Sequence, residues 1–307
     1  MSGGARLRIG TRGSRLARAQ TDLVCRALAS ADPELTASGA FEVVVVRTTG
    51  DRITDRPLAD LGGKGLFCKE LELALLDRRI DLAVHSTKDL PTWLPDGLVI
   101  GAALEREDPR DVLLARETTS LAGLPHGAVV GTASIRRQAQ LLARRPDLRV
   151  VNFRGNVETR LEKLAAGEVD ATLLALAGLR RLELELGTPL APDEMLPAVG
   201  QGAIVVECRG ADEATRALLA TVDHPRTRTC VGAERALLAA LDGSCHTPIA
   251  GLAELSEGAL RLRALVARPD GSECLATERR GDPAFGEALG RDAGEELRAR
   301  AGPGFFD

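Results

Sequence analysis

Asp81-Leu82-Ala83-Val84-His85-Ser86-Thr87-Lys88-Asp89-Leu90-Pro91 is the stretch on which the reading of this chain turns. Leu82, Ala83 and Val84 are too short and too apolar a run for anything but a buried strand, and within one residue the chain changes to His, Ser, Thr, Lys and Asp. In α/β proteins ligands sit just beyond the carboxyl ends of strands, so Ser86, Lys88 and Asp89 form a polar cluster at a favoured place. Pro91 prevents a simple continuation of regular structure. For this stretch alone a plainer reading stays open, in which Asp89 caps the next turn and Lys88 reaches solvent.

Upstream, residues 7–10 read as a short strand, and Thr11-Arg12-Gly13-Ser14 leads into a helix whose apolar positions Leu16, Leu23, Val24, Ala27 and Leu28 share one face. Ser14 is a natural N-cap. A strand–loop–helix junction with free backbone N–H groups and Arg12 in the loop is either an anion site or a plain cap beside an exposed Arg. Residues 41–48, with four consecutive valines, read as a second buried strand. Gly62-Gly63-Lys64-Gly65 resembles a nucleotide loop only at first sight, because no Ser or Thr follows Lys64, and ATP binding is rejected. The segment reads as a mobile cover carrying a cation, or as a solvated loop, ahead of a helix over 67–78. A strand over 98–104 follows, and the charged run 105–111 with Pro109 reads as a hinge or crossover between domains.

A second αβ series then begins. The strand 128–131, Thr132-Ala133-Ser134 and a helix over 135–145 repeat the opening pattern, which predicts two lobes of similar design. Arg136 and Arg137 fall in the first helical turn, where cations oppose the macrodipole, so an anion is expected there. The strand 148–153 ends in Arg154-Gly155-Asn156, with Arg160 in the following helix. Five arginines, at 12, 136, 137, 154 and 160, thus sit at strand ends or early helix turns, and bidentate charge-assisted bonds from them suit a ligand with several carboxylates or phosphates. A strand over 170–176, a helix over 177–186 and a Pro-rich crossover lead through Gly200-Gln201-Gly202 to a strand over 203–207 that returns to the first lobe. The last third reads as a helix over 227–241, a turn over 242–248, strands over 249–255, 260–267 and 273–278, and a helix over 285–301. Cys245, in the turn, is a thiol offered to a cleft or a small structural residue.

The 307 residues predict two or three domains, and 44% hydrophobic with 27% charged residues is ordinary for a globular protein. No apolar run approaches the roughly 18 residues that span a bilayer, and Met-Ser-Gly-Gly-Ala-Arg is unlike a secretory signal, so a cytoplasmic protein with no membrane partner is expected. Six scattered cysteines, without a Cys-x-x-Cys pair, support neither a disulfide scaffold nor a metal site. Net charge is −4 while the arginines cluster, and aromatics are only 2% with no Tyr, so a basic pocket for a small polyanion is favoured over a nucleic-acid partner.

Taken together, Gly10-Thr11-Arg12 with Ser14-Arg15-Leu16-Ala17 and Gln20, Gly62 to Phe67, Val84 to Pro91, Glu105 to Asp111, Gly131 to Arg137, Arg154-Gly155-Asn156-Val157 with Thr159-Arg160, and Leu196 to Gly202 resemble the porphobilinogen deaminase (hydroxymethylbilane synthase) family over residues 7–255. The resemblance implies two periplasmic-binding-protein-like α/β lobes (1–106, rejoined by about 200–222, and 107–199) and a small C-terminal α+β domain, 223–307, with an antiparallel three-stranded sheet. It implies a monomeric transferase of haem biosynthesis that deaminates four porphobilinogen molecules and joins them head to tail. The chain grows on a dipyrromethane cofactor held as a thioether by Cys245, and hydrolysis releases hydroxymethylbilane. Arg12, Ser14, Gln20, Lys64, Ser86, Lys88, Thr132, Ser134, Arg136, Arg137, Arg154, Gly155, Arg160 and Gln201 are then the expected cofactor- or substrate-binding residues, Lys64 belonging to the cover. Loss of ammonia leaves an azafulvenium cation, and a carboxylate beside it can stabilise that charge and manage protons, which is the catalytic role expected of Asp89. Ala133, Thr87, Ser244 and His246 depart from the family's usual pattern without removing a group the chemistry needs. Two other classes remain on the residues alone. A polycarboxylate-binding protein predicts no covalent adduct and no turnover, and a cysteine hydrolase needs a His beside the thiol, a role adjacent His246 is poorly placed to fill.

Overall fold

The computed structural model describes residues 7–52, 65–243 and 247–306, so the expected cover residue Lys64 and the expected anchor Cys245, with Ser244 and His246, lie outside the described residues. In chain order the elements are β1 (Leu7–Thr11), α1 (Arg15–Ala31), β2 (Phe41–Val45), α2 (Thr49–Arg52), α3 (Lys69–Leu76), β3 (Leu82–Ser86), β4 (Leu98–Ala103), β5 (Asp111–Ala115), β6 (Val129–Gly131), α4 (Ile135–Arg144), β7 (Arg149–Val151), α5 (Val157–Ala165), β8 (Ala171–Ala175), α6 (Leu176–Arg181), β9 (Thr188–Pro189), β10 (Ile204–Arg209), α7 (Glu213–Ala220), α8 (Pro225–Ala240), β11 (Ile249–Ser256), β12 (Ala259–Ala267), β13 (Cys274–Gly281) and α9 (Gly286–Ala301). Their contacts divide the chain into two compact units. One holds the described residues up to 52, 65–106 and 203–228; the other holds 107–202 and the described residues from 229 onward.

The first unit is built on the sheet β2-β1-β3-β10-β4, in which β1 runs parallel to β2 and β3 while β10 is antiparallel to β3 and β4. Ile9, Val24, Leu28, Leu82, Val84, Ile204, Val206 and Leu219 form its core. Each such side chain contributes about 1.5–3 kcal/mol through burial. Arg8 closes a bidentate pair on Asp81, which also accepts from Arg209, so the outset of β3 is tied to both neighbouring strands. One expectation fails here. Residues 41–48 were expected to form a buried strand, yet β2 stops at Val45, lies at the sheet edge, and leaves Val43 and Val45 44% and 42% exposed.

The second unit contains two sheets. The order β7-β6-β8-β5-β9 repeats that of the first unit, three parallel strands followed by an antiparallel one, which is the duplicated design the sequence predicts. The helix expected over 177–186 is shorter, ending at Arg181, and Glu183 takes a left-handed φ of 58°. The antiparallel sheet β11-β12-β13 packs one face of β12, with Leu260, Leu262, Ala264 and Val266, against α8 and α9 through Ala233, Leu237, Ala293 and Leu297. The helices meet closely, because a Cβ on Gly290 would lie 2.1 Å from the Ala233 carbonyl oxygen. Buried Glu234 of α8 accepts N–H groups from Gly200 and Ala253, joining this small domain to the Pro-rich crossover. The α/β class and the terminal three-stranded antiparallel sheet are therefore as expected.

Candidate active site

In the first unit the polar residues assemble at the carboxyl end of β3. The strand passes into a single 3₁₀ turn, Thr87–Asp89, because the Thr87 N–H and hydroxyl both donate to the Ala203 carbonyl oxygen, at 3.1 and 3.0 Å. That fixes the base of the turn and leaves Lys88 and Asp89 half-buried at its rim. Asp89 Oδ2 lies 3.8 Å from Nη1 of Arg12, which leaves the end of β1. Arg12 is also engaged by Asp51, Nη2 to Oδ1 at 2.5 Å, and stacks over the Phe67 ring with 4.1 Å to its centroid. Burial pushes the Asp51 carboxyl up, but Arg12 and Thr48 outweigh it and hold the group below the usual carboxylate range. Buried Gln20 of α1 donates to Ser86 Oγ at 2.8 Å, so these two expected site residues meet. Ser14 is the N-cap of α1, its Oγ accepting the Ala17 N–H. Asp51 and Phe67 were missed from sequence; the only signal for either was its place beside a glycine-containing loop.

The second unit holds the other predicted group. Ser134 caps α4 by accepting the Arg137 N–H at 3.4 Å, and its own N–H donates to Thr132 Oγ1 at 3.1 Å. Arg136 and Arg137, both buried, reach Asp111, which is 0% exposed at the start of β5. Nη2 of Arg137 donates to Asp111 Oδ1 at 2.7 Å, and Nη1 of Arg136 lies 2.8 Å from Oδ2. Gln201 also donates to Asp111 Oδ1, at 2.9 Å, and to the Pro109 carbonyl oxygen. An anion does stand opposite these arginines, the protein's own Asp111, a partner that the sequence reading did not name. One carboxylate does not balance two guanidiniums. Burial pushes the Asp111 carboxyl up and the two arginines far more than reverse this, while burial and the neighbouring Arg137 push Arg136 down against the pull of Asp111. Nε of Arg136 is buried without a hydrogen-bond partner among the described residues.

Arg154, Gly155 and Arg160 complete this side. Gly155 has φ +131° and a Cβ there would lie 2.8 Å from Thr159, so only glycine suits the turn into α5, whose N-cap Asn156 accepts the Thr159 N–H. Arg160 Nε donates to the Gly155 carbonyl oxygen at 3.0 Å, and burial, followed by repulsion from Arg137 and Arg154, lowers its guanidinium to about 10. Arg137, Arg154 and Arg160 are thus near enough to act on one another's charge. Arg181, read from sequence only as part of a helix, donates to the Gly202 carbonyl oxygen at 2.6 Å and is lowered by burial to about 10. Among the described residues no cluster of His, Cys, Asp and Glu could hold a metal ion, and no helix is long and apolar enough to cross a membrane.

Two family models match the chain: "Porphobilinogen deaminase, dipyromethane cofactor binding domain" over residues 7–217 and "Porphobilinogen deaminase, C-terminal domain" over 228–299. A chloroplastic porphobilinogen deaminase of Oryza sativa subsp. japonica is 54% identical over 306 residues, 98% of this chain and 86% of its own. A porphobilinogen deaminase of Paracoccus denitrificans is 55% identical over 303 residues, 98% and 96% of the two chains. Among solved structures, the periplasmic aliphatic sulphonate binding protein of Escherichia coli is similar over 78% of this chain and 71% of its own, at 17% identity and a TM-score of 0.42.

Proposed function

The chain belongs to the porphobilinogen deaminase family, and from that premise we propose that Asp89 is its catalytic carboxylate and Cys245 the anchor of its cofactor. The enzyme is a transferase, hydroxymethylbilane synthase, of tetrapyrrole biosynthesis. It deaminates four porphobilinogen molecules, links them head to tail on a dipyrromethane cofactor, and releases hydroxymethylbilane by hydrolysis. When bound, that cofactor supplies the pyrrole terminus to which the units are added.

The residues of this chain fit such a group. An acetate and a propionate on every ring call for cations, and the second unit offers the buried Nε of Arg136, which has no hydrogen-bond partner among the described residues, together with Arg137, Arg154 and Arg160, which act on one another's charge. On our reading these arginines bind and orient the carboxylate side chains, with Thr132 and Ser134 assisting, Gly155 shaping the turn and Gln201 bracing Asp111. In the first unit Lys88, Arg12, Ser14, Gln20 and Ser86 bind or support, and Lys64 belongs to the cover. Asp89 balances the positive charge that grows on the substrate pyrrole as ammonia departs, and its carboxylate holds or passes on the proton exchanged there. The observation that carries this assignment is the turn Thr87–Asp89, which presents a carboxylate beyond the carboxyl end of β3, close to Arg12. We read the working form as a cytoplasmic monomer without nucleic-acid or membrane partners.

The intact mass of the purified protein beside its Cys245→Ser variant tests the cofactor assignment. The wild type is expected to exceed its polypeptide mass by two linked pyrrole units and the variant to match its own. A bare wild-type mass that incubation with porphobilinogen leaves unchanged would overturn the assignment.

A further inference from the structure

Gln140 of α4 is 1% exposed and has no part in the reaction as read above. Its amide grips the backbone of Leu196 twice: Oε1 accepts the Leu196 N–H at 2.8 Å, and Nε2 donates to the Leu196 carbonyl oxygen at 3.0 Å. The same carbonyl oxygen accepts from Nη1 of Arg136 at 2.7 Å, so both of its lone pairs are in use. Arg136 stands four residues before Gln140, the spacing that brings two side chains to one face of a helix. Nη1 of Arg136 also lies 2.8 Å from Asp111 Oδ2. The guanidinium is thereby pinned through one nitrogen, while its buried Nε has no hydrogen-bond partner among the described residues.

Leu196 lies in the Pro-rich crossover, outside any helix or strand, so no sheet ladder pairs its buried backbone groups. From there the crossover meets the terminal sheet. Leu196 clusters with Ala250 and Leu252 of β11 and with Leu265 of β12, and the Pro197 carbonyl oxygen accepts the Gly251 N–H at 3.0 Å. β11 begins at Ile249, just after Cys245 in the sequence. Leu196 therefore meets an arginine of the candidate site on one side and the strand that follows the expected anchor on the other. Other contacts already hold the terminal domain to α4. Gln138 Nε2 donates to the Pro269 carbonyl oxygen at 3.1 Å, and a Cβ on Gly271 would lie 2.4 Å from the Ala143 nitrogen. Docking of that domain does not depend on Gln140, which leaves the placing of Leu196 and Arg136 as its distinct effect.

We propose that Gln140 is a positioning residue for cofactor binding: by fixing the backbone of Leu196 it holds the Arg136 guanidinium in register with β11, and so with the anchor of the cofactor. The inference rests on the reading of Arg136 as a cofactor-binding residue and of Cys245 as the anchor. An apolar side chain of similar length at position 140 removes both the donor and the acceptor that hold Leu196. The Leu196 carbonyl oxygen is then free to shift, and Nη1 of Arg136 either follows it or keeps only Asp111. A guanidinium already held in one orientation loses less freedom on closing charge-assisted bonds to a carboxylate than one that must first be ordered. The effect of Gln140 therefore falls on the loading of the cofactor.

The test follows loading of the full chain, made without porphobilinogen, by intact mass after porphobilinogen is added, with the melting temperature recorded before and after. Gln140→Met is expected to gain the mass of two linked pyrrole units about tenfold more slowly than wild type, inside the roughly 100-fold that a small misplacement can cost. Loading should also raise its melting temperature less than that of wild type, because a tethered group stabilises only through the contacts it makes in the folded state. A purely structural role would lower the loaded and unloaded values equally. Leu121→Ala, a truncation in the core of the same unit, is the control for lost stability and should load like wild type. Equal slowing in Leu121→Ala and Gln140→Met would overturn the proposal, as would Gln140→Met loading at the wild-type rate. Should Gln140→Met fail to fold, Gln140→Glu keeps an acceptor for the Leu196 N–H and loses the donor to its carbonyl oxygen; it too should load slowly, and a wild-type rate sinks the positioning role. Arg136→Ala separates this inference from its premise. If Arg136→Ala loads like wild type, the assignment of Arg136 falls and the role of Gln140 with it; slow loading of Arg136→Ala beside wild-type loading of Gln140→Met removes the role of Gln140 alone.

Discussion

Asp89→Ala is expected to fold normally and to form hydroxymethylbilane at least about 100-fold more slowly than wild type, the usual cost of removing a preorganised electrostatic partner of a transition state. Folding should survive because the Asp89 side chain is 34% exposed and its ion pair with Arg12 spans 3.8 Å. Such partly exposed pairs contribute roughly 0–1 kcal/mol. The turn is fixed instead by the Thr87 contacts with Ala203, which the substitution leaves in place. Product formation measured on cofactor-loaded protein, alongside circular dichroism and thermal unfolding, decides the matter. Near-normal turnover would refute the assigned role, and a large fall in melting temperature would move Asp89 from the chemistry to the fold.

Asp111→Asn should have the largest effect on stability, about 3–5 kcal/mol, because removing one partner of a buried ion pair strands the other. Here two guanidiniums, 5% and 6% exposed, would lose the negative charge they share, and the amide NH2 that replaces one carboxylate oxygen would face a guanidinium donor instead of accepting from it. Urea unfolding of the variant tests this, and a change below about 1 kcal/mol would overturn the view that Asp111 organises Arg136 and Arg137. The pH dependence has a definite sign. The folded carboxyl lies well below its ordinary 3.8, so its stabilisation is fully present above that value and is lost only as pH falls through the folded one. Arg136→Ala and Arg137→Ala should accordingly weaken both cofactor assembly and stability; as ligand-binding residues alone they would affect only assembly.

Much of the candidate site was legible because its signals are local. A run of apolar residues ending in Ser86-Thr87-Lys88-Asp89 states where a strand stops, and Ser14 and Ser134 cap helices because a hydroxyl reaches an N–H only three residues ahead. The paired strand–Ser–helix openings announced the repeated lobe, and alternation along 260–267 announced a strand with one buried face. What the sequence determined by itself was thus the kind of element, its ends and the chemistry it carries. Only the tertiary structure decided which charges those groups meet. Asp111 stands 26 positions from Arg137, and Glu207 stands 122 from His85. Sheet order likewise placed four valines, which look like core, partly on an exposed edge strand. The physical reason is common to all three cases. Periodicity and capping act over one turn or a few residues, whereas the partner of a buried charge, or the cover of a strand, is set by strand order and register between segments far apart in the chain.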